Sequence, residues 1–241
     1  MKKFFSLLLL IFSISFTQAQ VTSKTIKLDE KTIVKDESGN IYPFNLWRKF
    51  METGQYSLKL ISDKDALTPE FQLFQMTPDQ IEESKKQRSE YAATLPKPSS
   101  SRSFRDGQKF RFENMKYLNG NKFDSKTDTG KVVVLNFWFI NCPPCKKEIP
   151  ELNELVEKYK DKNVIFIAIA LDDAYSLNKF LRMSPFNYNI VEDGTYYSQK
   201  YVVKSYPTHV VVGKDGKVKF STSGLGPNTI YWVDKTISAE L

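Results

Sequence analysis

At 241 residues, with 41% hydrophobic, 14% aromatic and 26% charged residues, the chain can bury a full core and has room for one or two domains. Wholesale disorder, collagen-like repetition and a large repeat array are excluded. The net charge of +7 is spread along the chain rather than gathered into a patch, which argues against nucleic acid as a partner, and one histidine with two cysteines cannot complete a four-ligand zinc site.

The first segment reads as an address. Lys2 and Lys3 precede a 13-residue apolar stretch, residues 4–16, and Thr17-Gln18-Ala19 offers a small-residue cleavage site before Gln20. Residues 1–19 are therefore expected to be a cleaved signal peptide. The apolar stretch is well short of the roughly 20 residues that cross a bilayer, so no stable membrane insertion is expected. With neither cysteine near the cleavage site, lipid attachment there is ruled out. Losing Lys2 and Lys3 takes the charge from +7 to +5. The mature protein is expected in the periplasm, with secretion as the alternative.

Residues 20–95 mix turn signals with short patterns. Residues 32–34 and 40–42 flank Ser38-Gly39, which suggests a hairpin, and residues 56–61 and 71–75 are strand candidates. Thr77-Pro78-Asp79 supplies an N-cap and a first-turn proline for a polar helix running to about residue 92. Proline and serine enrichment over residues 96–103 reads as a linker, which leaves residues 104–241 as the second domain. There the pattern is regular. Residues 132–140 form an apolar run broken by Asn136, as a central strand covered on both faces requires. Ile149, Leu152, Leu155, Val156 and Tyr159 recur at helical spacing, and residues 164–171 form a second buried strand, which completes a βαβ unit. Asp172 or Asp173 can cap a helix carrying Leu177, Phe180 and Leu181. A short strand at residues 188–191 and a helix at 195–201 come next, then strands at 208–212 and 218–221 around Gly213-Lys214-Asp215-Gly216, and a last helix carrying Ile230, Val233, Ile237 and Leu241. The fold class is α/β, a mixed sheet flanked by helices and preceded by a small α+β region.

The cysteines stand as Cys142-Pro143-Pro144-Cys145, at the junction of a buried strand and the helix after it. A bridge this short removes little entropy from the unfolded chain, so stabilisation is a poor reason to keep it. At a helix start, unpaired N–H groups and the helix dipole favour thiolate. Cys142 is expected to be the exposed nucleophile. Cys145, one turn on, can attack the mixed disulfide that Cys142 forms with a substrate. Neither proline has an N–H, so only that of Cys145 remains to hydrogen-bond the Cys142 sulfur, which favours a moderate thiol perturbation and a reducing couple.

Phe137-Trp138, the Cys142-Pro143-Pro144-Cys145 core and Pro150 resemble the thioredoxin superfamily, specifically the exported TlpA/ResA-like thiol-disulfide oxidoreductases. The similarity runs from about residue 104 to the C-terminus and takes in Asn119-Gly120 and Gly130-Lys131. It implies a thioredoxin-like fold, a cis peptide bond before Pro207, and a substrate surface of Tyr206, Pro207, Trp138, Pro143 and Pro144. Pro150 on its own reading kinks the long helix. Glu148 lies three residues after Cys145 on the same helical face. Family likeness makes it the proton acceptor for the second thiol, a role that Asn136, at the position of thioredoxin's buried aspartate, cannot fill. The chain departs from the pattern at Asn141, where the superfamily usually has tryptophan, and His209 reads as an ordinary strand residue, with a neighbour that tunes the thiols as the alternative. The resemblance implies a protein disulfide reductase without cofactor or metal. It acts on disulfides of envelope proteins, possible targets including apocytochromes, and draws electrons from a membrane thiol reductant. The rivals are a thiol oxidase with the same residues and a binding module with an inert disulfide. A peroxidase of the peroxiredoxin kind would need an isolated cysteine outside the pair.

Overall fold

The computed structural model describes residues 28–63, 66–128 and 130–241; the leader expected at residues 1–19 lies outside them. Two compact units form, one from residues up to 47 together with 58–73, the other from residues 48–57 together with 74–241.

The first elements are β1 (Ile33–Lys35), α1 (Phe44–Glu52), β2 (Tyr56–Leu60) and β3 (Glu70–Gln75), with the strands in the order β1-β3-β2. Within the first unit Val34, Trp47, Phe71 and Leu73 are buried, and the Phe44 ring meets Trp47 edge-on at 5.2 Å. The turn at Ser38-Gly39 exists, but the expected hairpin is reduced to one bridge between Lys35 and Ile41. Ile41 is 64% exposed, so that arm offers no apolar face to hold. β1 instead runs parallel to β3, which sets Val34 opposite Phe71 and buries both.

In the second unit, α2 (Pro78–Thr94) starts with a full capping box: the Thr77 hydroxyl accepts from the Gln80 N–H, and the Gln80 side chain accepts from the Thr77 N–H. β4 (Met115–Lys116) and β5 (Lys122–Phe123) pair across Asn119-Gly120, where Gly120 takes φ +89°. β6 (Val132–Trp138), α3 (Pro143–Lys158), β7 (Val164–Ala170), α4 (Ala174–Met183), β8 (Asn189–Val191), α5 (Thr195–Lys200), β9 (Thr208–Val212), β10 (Val218–Ser223) and α6 (Thr229–Glu240) complete the chain. Their strands form one sheet in the order β10-β9-β6-β7-β8, parallel from β6 to β8 and antiparallel on the other side.

β6 is central and buried throughout, and its alternating side chains feed two cores. Val132, Val134 and Trp138 join Ile149, Leu152 and Leu155 of α3, Leu177 of α4 and Val233 and Ile237 of α6. Val133, Leu135 and Phe137 join Phe104, Phe110, Met115 and Phe123 on the opposite face. α3 and α6 are also tied by polar contacts: the Lys158 ammonium and the Tyr159 hydroxyl both reach the Asp234 carboxylate, at 2.7 and 2.6 Å. Gly194 is required where the chain passes β7, because a Cβ there would stand 2.5 Å from Ile169 Cγ2.

Residues 96–103, which read as a linker, carry bonds into the sheet and α6. The Ser101 N–H donates to Ser221 Oγ at 3.1 Å, and Asn228 Nδ2 donates to the Pro96 carbonyl at 2.9 Å. Further on, Gly107 donates to the Val218 carbonyl, Val218 to that of Gln108 and Phe110 to that of Gly216. Residues 101–110 thus lie along β10, and Leu118 donates to Ile190 of β8 at the sheet's other margin.

Candidate active site

The last residue of β6 is Trp138, and three residues carry the chain from there to the helix. This short loop is anchored where the Ile140 N–H donates to Asp172 Oδ2 at 2.8 Å, just beyond the C-terminal end of β7. Cys142 is then the N-cap of α3, and Pro143 and Pro144 occupy its first two positions, where a missing N–H costs nothing. The Cys145 N–H donates to Cys142 Sγ at 3.3 Å, the contact expected from the two prolines. Cys142 and Cys145 form a disulfide, with 5.3 Å between their Cα atoms.

One expectation is corrected here. Cys142 is only 3% exposed in the disulfide form and Cys145 1%, and both belong to the core packed around Trp138 and Ile149. The burial is shallow: Asn141 and Pro143 on either side are exposed and Pro144 is half-buried, so the sulfur lies just beneath the surface at the helix tip.

The Tyr206–Pro207 peptide bond is cis. Tyr206 is half-buried, and its ring meets Phe139 of the loop edge-on at 5.5 Å. Beside it opens a cavity of about 400 Å³ lined by Leu171, Gln199, Val202, Val203 and Lys204, which no local sequence pattern could assemble. Trp138, expected on the substrate surface, is wholly buried between Phe180 and Phe186, at 5.6 and 5.4 Å. Its position as the last residue of β6, on the face turned to α3 and α4, makes it a core residue.

Beneath the disulfide lies a closed polar cluster. Glu148 falls within the buried stripe of α3, between Cys145 and Ile149, and is 2% exposed. Asn136 Nδ2 donates to Glu148 Oε1 at 2.8 Å, and His209 Nε2 lies 3.0 Å from Glu148 Oε2. The antiparallel register pairs Asn136 directly with His209, and their side chains meet at 3.3 Å from Nδ2 to Nδ1. Asn136 and His209 are as deeply buried as Glu148. Nearby, burial pushes the Tyr188 phenol well above its ordinary range, and the Glu148 charge adds to that. Among the described residues no cluster of three or more His, Cys, Asp or Glu side chains is arranged to hold a metal, and no helix is long and apolar enough to cross a membrane.

The AhpC/TSA family model matches residues 107–221. The thiol-disulfide oxidoreductase ResA of Bacillus cereus is 39% identical over 103 residues, 42% of this chain and 60% of its own length. The thioredoxin-like protein YneN of Bacillus subtilis is 30% identical over 118 residues, 47% of this chain and 69% of its own. A crystal structure assigned as the thiol:disulfide interchange protein DsbE of Chlorobium tepidum superposes with a TM-score of 0.52 at 28% identity, covering 57% of this chain and 98% of that one. The match thus spans 60% of the ResA relative's length.

Proposed function

Since the chain belongs to the AhpC/TSA family of thioredoxin fold, we propose that it is a thiol-disulfide oxidoreductase working as a reductase on the disulfides of exported proteins. The observation that carries this reading is a cysteine pair at the N-terminus of α3, Cys142 as the cap and Cys145 one turn on, already able to close into a disulfide.

In the reductive direction the Cys142 thiolate attacks one sulfur of a substrate disulfide; that S–S bond breaks, leaving a mixed disulfide and one substrate thiolate. Cys145 then gives its proton to Glu148 and attacks the Cys142 sulfur. The mixed disulfide breaks, the second substrate sulfur leaves as thiolate and takes a proton from water, and two electrons have passed from protein to substrate. The Tyr206–Pro207 backbone serves as the site where an extended substrate pairs, flanked by Pro143 and Pro144. Two prolines after Cys142 leave one N–H for its sulfur, which favours the reducing direction.

The leader pattern at residues 1–19 supports a periplasmic location. There the reductase takes its electrons from a membrane thiol reductant, and its substrates are disulfide-bonded envelope proteins, apocytochromes in cytochrome c maturation among them. The 3% exposure of Cys142 favours one rival, a thioredoxin-fold binding module with an inert disulfide. Insulin reduction with dithiothreitol separates the two: the wild type should turn over insulin far faster than Cys142→Ser, and equal rates would leave the binding module.

A further inference from the structure

His209 is the chain's one histidine, wholly buried on β9, and the thiol exchange described above gives it no part. Its hydrogen bonds assign it one. Asn136 Nδ2 faces Glu148 Oε1 at 2.8 Å and His209 Nδ1 at 3.3 Å. An amide nitrogen carries two hydrogens and accepts nothing, so both contacts are donations and His209 Nδ1 is an acceptor. A neutral ring that accepts at Nδ1 carries its proton at Nε2, which donates to Glu148 Oε2 at 3.0 Å. Both Glu148 oxygens therefore accept. With Glu148 as the carboxylate that is to take the Cys145 proton, turning the amide over would set two acceptor oxygens 2.8 Å apart; the present orientation avoids this, although it leaves Asn136 Oδ1 buried without a partner.

We propose that His209 is a positioning residue for the resolving step: its Nε2–H holds the Glu148 carboxylate fixed in orientation one helical turn from Cys145. The inference rests on the reading of Glu148 as the acceptor of the Cys145 proton. A carboxylate buried this deeply stays charged only when its oxygens are hydrogen-bonded, and His209 supplies one of the two bonds. The other ionisable groups around it are Tyr188 before β8 and, on α3, the cysteine pair and Glu151, whose carboxyl is pushed up by burial first, with the Arg88 charge opposing. β6, β7 and β10 bring Asn136, Ala168 and Thr222 to this level of the sheet, none of them charged.

The test is a single-turnover oxidation of the reduced protein by oxidised glutathione from about pH 4 to pH 9. Acid quenching and mass spectrometry follow the Cys142–glutathione mixed disulfide. His209→Gln can carry a side-chain N–H to the place of Nε2, whereas His209→Asn is too short and leaves Oε2 unserved. We expect His209→Asn to slow resolution about tenfold near neutrality and move the acid limb of the profile up by about one unit, the size of effect that follows from losing one hydrogen bond to a charged group. His209→Gln should stay within about twofold of wild type. Wild-type profiles for both variants, or equal losses in both that track their melting temperatures, would overturn the proposal. Glu148→Gln separates the two levels. If it too leaves resolution and its pH profile unchanged, the parent reading fails and takes this one with it; if it shifts them while His209→Asn does not, only the role of His209 is lost.

Discussion

Replacing Asn136 by Asp puts a second carboxyl where an amide now donates to Glu148 Oε1 at 2.8 Å. Two ionised carboxylates cannot share that distance in a buried site, so the folded variant must hold one proton more than the folded wild type, on either carboxyl or on the imidazole. The unfolded chains bind equal numbers of protons once the new side chain ionises, near pH 3.9. The folded state of the variant then binds the excess proton, so its stability falls relative to wild type as pH rises. The slope is about 1.4 kcal/mol per pH unit, which makes a deficit of about 4 kcal/mol by pH 7. A roughly constant 1 kcal/mol is added because a carboxylic acid has one hydrogen to donate where the amide had two. Urea unfolding of the oxidised proteins at a series of pH values measures the gap directly. A gap that does not change between about pH 4 and pH 7 would mean that Asn136, Glu148 and His209 are not joined as described, whatever its size.

Two further outcomes follow from other parts of the fold. Leu152→Ala empties a fully buried position in the core between α3 and the sheet, and should cost about 2–5 kcal/mol and lower the melting temperature by about 2–4 °C for each of them, with insulin turnover per folded molecule retained; a loss below about 1 kcal/mol would show that the core collapses around the gap. Asp173 caps α4, and the Ser176 N–H and then its hydroxyl hold the carboxyl below its ordinary 3.8 while burial opposes them slightly. A lowered carboxyl stabilises above its unfolded value and loses the effect as pH falls through the folded one, so the stability advantage of wild type over Asp173→Asn should shrink on acidification below 3.8. Melting temperatures that keep a constant separation down that range would contradict the capping geometry.

The second unit was legible because its signals are local. The run that becomes β6, the helical spacing of Ile149, Leu152 and Leu155, the cap at Asp173 and the turn before Val218 each report the element they sit in. Pairing is another matter. The register partners of β1 are 37 positions away (Lys35 to Gln72), Lys35 being also bonded to Glu70, and nothing near Gly39 announces them. His209 reads as ordinary for the same reason: along β9 it stands between Thr208 and a run of three valines, and its true neighbours, Asn136 and Glu148, come from another strand and a helix. A signal was present in the pattern. Each of the three is a lone polar residue on an otherwise apolar, core-facing stripe, and buried polar groups need one another. Trp138 failed in the opposite way, since the motif that carries it says nothing about which side of the strand it faces.

The course of residues 101–110 along β10 bears on how this sheet behaves in company. A strand with unpaired backbone groups at the rim of a sheet is a template for another chain, and neighbouring molecules can add to it without limit. Here one rim is occupied by the protein's own preceding segment, through Gly107, Gln108 and Phe110, and at the other Leu118 takes the Ile190 carbonyl of the three-residue β8. For the reductase proposed above, which would meet extended polypeptides, margins covered in this way mean that such a chain is handled at the cysteines and released rather than stitched onto the fold.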